Sequence, residues 1–341
     1  MNSDAAMTAL RAADPVPDQP PLDDRAAADI DRIVATPRAS AGPARRGFVV
    51  RPGRRLALAG ALAGLTAIAV VTPSVLPTPG QGSRVAYAAT PDPLRVLDEQ
   101  AFTQAGLSAA STAPELVASI AARTQALPDD TGTGRYAKTV TEGWALWTSV
   151  DGERVTSEVV PQTSTSWTAA DGSGRVVTEI EGPGTARAVD DDVLAAGGRA
   201  LMWPLATLSA DDAALAGQLE AGHPVGNGPA ERLVAILDAA AEQPQTPAVR
   251  AAMLRYLAQT PGLTTTGMVS DRAGRTGLAV HVTTSMSGLP ERRTVIIDAD
   301  TGRVLGWETT LTETAGKLNV PAPSVISYTS LISSEYVADP R

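Results

Sequence analysis

The stretch Tyr136-Ala-Lys-Thr-Val-Thr-Glu-Gly-Trp-Ala-Leu-Trp147 decides the fold class of this chain. It is rich in threonine, valine and aromatic residues, which favour extended strands. The Asp-Gly pairs at Asp151 and Asp171 are typical of hairpin turns. The region Arg135–Glu181 is therefore predicted to form consecutive antiparallel strands.

Helical periodicity lies on both sides of this strand block. Before it, a helical region is predicted over Leu94–Leu127, divided at Pro114. After it, Ser209 predicts a helix start, and apolar residues recur at helical spacing over Ala230–Glu242. A further helix is predicted to begin at Thr246-Pro247, where an N-cap residue precedes a proline in the first turn.

Extended patterns return after the last of these helices. Leu278, Val280 and Val282 alternate along one strand face, and His281 lies on the opposite face as a satisfied sheet histidine. Asp298–Arg303 is typical of a hairpin turn. Strand blocks joined by hairpins and separated by helices predict an α+β domain, in which helices cover one face of a curved antiparallel sheet.

Far upstream, the uncharged run Leu56–Leu76 (LALAGALAGLTAIAVVTPSVL) predicts a transmembrane helix. As a helix it would extend about 31 Å, enough for a hydrocarbon core of about 30 Å. Pro73 ends the regular helix, so the remaining Leu56–Thr72 lies near the lower limit for spanning.

The charges on the two sides of this run predict its orientation. Residues 1–55 carry nine arginines against seven aspartates, and the other residues carry 19 basic and 30 acidic side chains. Basic residues beside a span stay in the cytoplasm, so the N-terminus is predicted inside and the large acidic part outside. The arginines before the span are also predicted to contact anionic membrane lipids; they are Arg38, Arg45, Arg46, Arg51, Arg54 and Arg55.

Alternatives remain open for this segment. The run could be a buried helix of a soluble core, although such a helix gives no reason for arginines on one side only. Arg54-Arg55 and Ala86-Tyr87-Ala88 could be a twin-arginine signal and its cleavage site, but Ala88 lies far beyond the apolar run. Gly60 and Gly64 form a G-x-x-x-G spacing, which makes a homodimer through the span an option.

The predicted organisation has four parts. Residues 1–55 form a cytoplasmic arm that ends in the basic juxtamembrane segment, and residues 56–76 form the transmembrane helix. Residues 77–93 form a tether, and residues 94–341 form the extracytoplasmic α+β domain. The arm is expected to be mostly disordered, with one short amphipathic helix candidate at Asp23–Thr36.

Composition excludes several functional classes. Without cysteine there is no disulfide, thiolate zinc site or iron–sulfur cluster, and His223 and His281 are too few for a three-histidine metal site. No G-x-S-x-G, Walker A or H-E-x-x-H motif occurs. We interpret Asp190-Asp191-Asp192 as a solvated loop and place His223 in a flexible loop. The sequence therefore predicts no enzyme, and no catalytic, cofactor or metal site.

The tryptophans allow a second interpretation besides core packing. Trp144, Trp147 and Trp307 are candidates for an apolar groove between sheet and helices, such as a lipid-like ligand would occupy. Nucleic acid is excluded as a partner by the acidic outer part. The partners that remain are membrane lipids, a protein partner in the envelope or of the sigma-factor type, and a lipid-like ligand.

Four segments carry a resemblance to known proteins. They are Leu10–Asp18 (LRAADPVPD), the arginine-flanked apolar span, the helix pair before Thr260–Leu263 (TPGL), and Ile297–Leu305 (IDADTGRVL). This layout resembles an actinobacterial family of uncharacterised single-pass membrane proteins. The arm and span are similar to the layout of anti-sigma factors. The outer part resembles half-barrel domains of lipoprotein carriers and of periplasmic regulators of sigma-factor proteolysis.

The resemblance implies an extracytoplasmic domain that binds a ligand or a protein, in an anti-sigma-like regulator. The alternative is a cell-envelope carrier or scaffold for lipid or lipoprotein, with an apolar groove. Zinc-binding anti-sigma domains have a His/Cys cluster, and this sequence has none.

Overall fold

Ten strands form one antiparallel sheet in the computed structural model, which describes residues 90–151, 154–181 and 187–340. The strands are β1 (Arg95–Val96), β2 (Tyr136–Asp151), β3 (Arg154–Ala169), β4 (Gly174–Glu181), β5 (Arg187–Leu194), β6 (Thr264–Ser270), β7 (Thr276–Thr284), β8 (Glu291–Ile297), β9 (Val304–Leu311) and β10 (Ser324–Val337). Their order across the sheet is β1-β6-β7-β8-β9-β10-β2-β3-β4-β5. Two runs of consecutive strands, β2–β5 and β6–β9, therefore meet at β10, which pairs with β9 and with β2.

The described residues also form five α-helices. They are α1 (Glu99–Gln104), α2 (Ala113–Thr124), α3 (Asp212–Gly222), α4 (Ala230–Glu242) and α5 (Pro247–Ala258). A 3-10 turn, Val225–Asn227, connects α3 to α4.

Most helix starts follow the local sequence signals. At the start of α2 the Thr112 N–H donates to the Glu115 side chain at 2.8 Å, and Pro114 occupies the first turn. At α5 the Thr246 hydroxyl accepts from the Val249 N–H, as its N-cap position predicts. The predicted bounds of α4 are confirmed.

Two local expectations are wrong. The N-cap of α3 is Asp211 and not Ser209, because the Asp211 carboxylate accepts from the Ala214 N–H at 2.9 Å. Asp190-Asp191-Asp192 is not a loop but part of β5, since its backbone pairs with Val176–Thr178 of β4. This pairing to a neighbouring strand overrides the weak strand propensity of aspartate.

The helices pack on one face of the sheet, called here the helix face. Leu278, Val280 and Val282 of β7 point to this face and are buried, as their alternation predicts. They share one core with helix residues that include Leu116, Leu215, Leu233, Ile236, Leu254 and Leu257. The predicted α+β class, with an antiparallel sheet and helices on one face, is therefore confirmed.

The opposite face, called here the helix-free face, has a smaller apolar cluster. It consists of Val269, Ala279, Ile296 and Leu305, and Leu94 packs against it. The chain before β1 thus covers part of this face.

Each helix in the described part of the chain is too short or too polar to span a lipid bilayer. The predicted span Leu56–Leu76 lies outside these residues, as do its Gly60 and Gly64, the arginines before it and the helix candidate in the arm.

Candidate functional site

A cavity of about 80 Å³, called here the helix–sheet cavity, lies between α4, α5 and the adjacent parts of β9 and β10. It opens beside a bulge of β10 between Leu331 and Ser333, where the pairing with β2 shifts by one residue. An engineered apolar cavity of roughly 150 Å³ is large enough to bind benzene, and the helix–sheet cavity has about half that volume. A short alkyl group is therefore the largest apolar ligand that fits without movement. Its apolar lining is Ile236, Ala240, Met253, Leu254, Val304, Leu331 and Ile332.

Ser334 gives the helix–sheet cavity one polar group that the protein does not satisfy. Its side chain is buried, and within the described part of the chain its hydroxyl has no hydrogen-bond partner. Buried hydroxyls are normally paired, because a buried unpaired one costs about 1–3 kcal/mol. A ligand that combines an alkyl group with a hydrogen-bonding group would match this lining.

The arginines around the helix–sheet cavity bind groups of the protein itself. Arg250 contacts both carboxylate oxygens of Asp130, at 2.8 and 3.2 Å, and Arg303 approaches the same carboxylate to 2.7 Å. Burial alone would raise the pKa of Asp130, but hydrogen bonds from both arginines outweigh it and hold that pKa below its ordinary value. Arg275 is similarly paired with Asp271 at 2.7 Å. These arginines stabilise the rim and leave little capacity for an anionic ligand.

A second cavity, of about 200 Å³ and called here the acidic cavity, lies on the helix-free face across β2, β3 and β4. Glu142 is opposite Thr163 in the sheet, and Thr163 is opposite Glu179, so these side chains share one face. Glu181 and Tyr328 complete its polar lining. None of the described residues that line this cavity is basic, and Arg187 is opposite Glu181 in the sheet, so the excess of carboxylates over basic groups favours a positively charged ligand group.

One wall of the acidic cavity is held by aromatic and charged contacts. The Tyr328 ring packs edge-on against Trp144, with centroids 5.4 Å apart, and Arg272 lies over the same ring at 5.3 Å. Arg272 also pairs with buried Glu308 at 2.8 Å. Burial raises the pKa of the Tyr328 hydroxyl, so it stays protonated and able to donate a hydrogen bond.

A buried histidine cluster lies at the junction of α3 and α4. His223 Nδ1 is 3.0 Å from Glu231 Oε1, and His223 Nε2 is 3.3 Å from Asp238 Oδ2. Trp203 packs beside the imidazole, with ring centroids 5.8 Å apart. The flexible loop predicted for His223 is therefore wrong, because the two carboxylates of α4 fix the imidazole in the core.

The charge of His223 is expected to make stability pH-dependent. Burial alone would lower its pKa, but the hydrogen bonds with Asp238 and Glu231 outweigh this and raise the pKa above its ordinary value. The stabilisation is therefore complete below about pH 6.5, the unfolded value, and is lost as pH rises through the folded value. We expect the free energy of unfolding, measured by urea denaturation, to fall over this range in the native chain and much less in His223→Gln.

His281→Gln is the matched control for this measurement. Burial and nearby Arg292 lower the pKa of His281 to about 4, so His281 contributes stability that is lost as pH falls from about 6.5 towards 4. Replacement of His281 should change the free energy of unfolding only in this acidic range, below about pH 6.5. An unaltered loss of stability above pH 6.5 in His223→Gln would contradict the role of the cluster.

The structure divides the predicted groove tryptophans between the two faces of the sheet. Trp144 and Trp147 are three residues apart on β2, so their side chains point to opposite faces. Trp307 packs against the core on the helix face, and Trp144 contacts Tyr328 on the helix-free face. A groove that includes all three is therefore not formed, and none of them lines either cavity described above.

The structure also shows the surroundings of His281 and of the predicted turn at Asp298. His281 Nδ1 lies 3.2 Å from the Thr266 hydroxyl, which confirms a satisfied sheet histidine. Asp298 caps the turn between β8 and β9, where its carboxylate accepts from the Asp300 N–H at 2.8 Å. No group of three or more acidic or histidine side chains among the described residues is placed to hold a metal ion.

Sequence reasoning missed the acidic cavity and the histidine cluster. A signal for the first was the placement of Glu179 and Glu181 on one face of a strand. A signal for the histidine cluster was the seven-residue spacing of Glu231 and Asp238, which puts both carboxylates on one helix face. No sequence signal pointed to Ser334.

Comparison with known proteins does not identify a family for this chain. No protein-family model matches the chain, and no curated protein matches it. Similar solved structures include the Pseudomonas aeruginosa MucA/MucB complex, at 11% identity and a TM-score of 0.20, covering 66% of this chain and 58% of that chain. They also include an outer membrane lipoprotein-sorting protein domain from Vibrio parahaemolyticus, at 9% identity and a TM-score of 0.18, covering 65% of this chain and 91% of that chain. At such TM-scores neither likeness carries an argument about fold or activity.

Proposed function

We propose that this chain is a single-pass membrane protein with a cytoplasmic N-terminal arm and an extracytoplasmic domain that binds a protein partner. Binding is relayed to the arm, as in an anti-sigma-like regulator. The six arginines before the uncharged run Leu56–Leu76 support the orientation. The acidic cavity supports the binding role and is the observation that carries the proposal. It is concave, measures about 200 Å³, and the excess of carboxylates in its lining favours a positively charged group on the partner.

Protease protection in spheroplasts tests the orientation. We expect protease added outside to remove a tag at the C-terminus, because the acidic part lies outside. A tag at the N-terminus should be degraded only after detergent opens the membrane. The opposite pattern, or an intact protein in the aqueous fraction, would refute the proposed topology.

Comparison of transcript profiles tests the relay. We expect the double variant Glu142→Gln/Glu181→Gln, which reduces the charge of the acidic cavity, to alter the same transcripts as deletion of residues 1–36. The control is Glu313→Gln/Glu335→Gln, which removes two exposed acidic groups outside the cavity. Profiles that match the native strain for both the cavity variant and the deletion would count against signalling.

A second candidate function, a carrier of lipid or lipoprotein, is favoured by the helix–sheet cavity. Its apolar lining and the unpaired hydroxyl of Ser334 suit an alkyl chain that ends in a hydrogen-bonding group. Because about 80 Å³ holds only a short alkyl group, a longer chain requires movement of α4 and α5 away from the sheet.

Mass spectrometry of the purified full chain tests the carrier function. We expect a co-purifying lipid in the native chain and several-fold less in Ser334→Ala, since the variant cannot bind the polar end. Ser330→Ala is the matched control, as Ser330 is a buried serine of the same strand that does not line the cavity. A native chain that is consistently free of lipid would exclude this candidate.

A further inference from the structure

Strand β5 forms one edge of the sheet, and its outer backbone groups are available to hydrogen-bond with a further strand. Within residues 90–151, 154–181 and 187–340 only β4 pairs with it, so its other side has a row of N–H and C=O groups without a strand partner. The opposite edge differs, because β1 pairs with the end of β6, and β6 has an irregularity between Thr265 and Gly267. An irregular edge of this kind resists strand addition, whereas β5 is regular over its eight residues.

The side chains of β5 differ between its two faces. Asp190 and Asp192 pair with Thr178 and Val176, whose side chains point to the helix face. Val189 and Val193 point to the helix-free face and are 55% and 82% exposed. An unusually exposed pair of valines thus lies on one face, and a pair of exposed aspartates lies on the other.

Asp191 is different from the two aspartates beside it. It shares the helix-free face with the valines, and its carboxylate is bound by Arg175 through two contacts of 2.8 and 2.7 Å. Hydrogen bonding to Arg175 holds the pKa of Asp191 below its ordinary value. Its charge is therefore already compensated, and Val189 and Val193 are the exposed apolar groups beside it.

We propose that β5 is the docking edge for an extended segment of a protein partner in which basic and apolar residues alternate. The segment adds as an eleventh strand, with backbone hydrogen bonds to β5. Its basic side chains lie beside Asp190 and Asp192, and its apolar side chains cover Val189 and Val193. This inference rests on the proposed protein-binding function and names the chemistry of the partner.

Charge argues against a second copy of this chain as the occupant. Two β5 strands paired about a twofold axis near Asp191 would place Asp190 of each copy opposite Asp192 of the other. Like charges directly opposite each other in a sheet are destabilising. A segment with lysine or arginine at these positions would instead place a positive charge opposite Asp190 and another opposite Asp192, and both pairs would attract.

Binding of synthetic peptides to the purified full chain in detergent tests the proposal. The probe is a fluorescent ten-residue peptide of alternating lysine and valine, and the measurement is fluorescence anisotropy at low and high salt. We expect saturable binding that weakens with salt, because the charged pairs are exposed. A peptide of the same composition with lysines and valines in separate blocks should bind at least tenfold more weakly. So should an alternating peptide that is N-methylated at every residue, since it has no backbone N–H to donate to β5.

Variants of the chain complete the test. Asp190→Asn/Asp192→Asn should weaken binding of the alternating peptide about tenfold at low salt. Glu313→Gln/Glu335→Gln removes the same charge away from β5 and should leave the affinity within about twofold. Circular dichroism and urea denaturation show that each variant is folded.

Three results would overturn the proposal: no binding of the alternating peptide, equal binding of the N-methylated peptide, or no difference between the two charge variants. If the native chain binds no peptide and Asp190→Asn/Asp192→Asn self-associates, the aspartates only protect the edge from aggregation. The measurement requires neither membrane topology nor relay. Its failure is thus distinguishable from failure of the proposed function, which the spheroplast and transcript experiments address.

Discussion

Glu291→Gln is expected to lower the free energy of unfolding by about 3–5 kcal/mol, the cost of removing one charge from a buried ion pair. Glu291 is fully buried on β8, and its carboxylate lies 2.7 Å from Nε of Arg293, which is also buried. The Ser287 hydroxyl donates to the same carboxylate. Glutamine keeps the shape of the side chain and removes its negative charge, so the guanidinium of Arg293 loses that compensation in a low-dielectric environment.

Urea denaturation at neutral pH measures this effect, and Asp191→Asn is its control. The control makes the same chemical change in an ion pair whose side chains are 35% and 46% exposed. Exposed pairs contribute about 0–1 kcal/mol, so this variant should be close to the native chain. A similar, small loss in both variants would contradict the burial of the Glu291–Arg293 pair.

Leu278→Ala is expected to lower the free energy of unfolding by about 3 kcal/mol, within the range of 2–5 kcal/mol for buried leucines. Leu278 is fully buried in the core between the sheet and the helices. Truncation removes three buried carbon atoms and leaves a space that the neighbouring helix α4 cannot readily fill, because protein interiors are close-packed.

The midpoint of urea denaturation reports this loss, with an unchanged dependence on urea concentration if the fold is kept. Val193→Ala is the control, since Val193 is 82% exposed and its truncation should cost less than about 0.5 kcal/mol. Equal losses at the two positions would mean that the helices do not cover β7.

The elements that the sequence predicted well are those with local signals. Helix α4 has the predicted bounds, and α5 begins at the predicted Thr246-Pro247 pair. Capping, helical periodicity and turn chemistry act within about four residues, so they can be read without knowledge of the fold. The separation of Trp144 from Trp147 was also within reach, since residues three apart on a strand point to opposite faces.

The features that could not be predicted depend on distant residues. His223 is followed by a proline and a glycine, which favour a loop, yet Glu231 and Asp238 of the next helix bury it. Asp190–Asp192 are poor strand formers, and their conformation follows from pairing with β4. The acidic cavity needs Glu142, Glu179 and Tyr328 from three strands that are not all neighbours in sequence.

The position of β10 has a consequence for how the chain reaches its final form. This strand joins the β2–β5 run to the β6–β9 run, and it is synthesised after both. Until Ser324–Val337 arrives, β2 and β9 each present a long bare edge, and the two runs have no strand through which to unite. A nascent chain is therefore exposed to mispairing along β2 from the time this strand is made until β10 follows, and one late strand unites the two halves of the sheet.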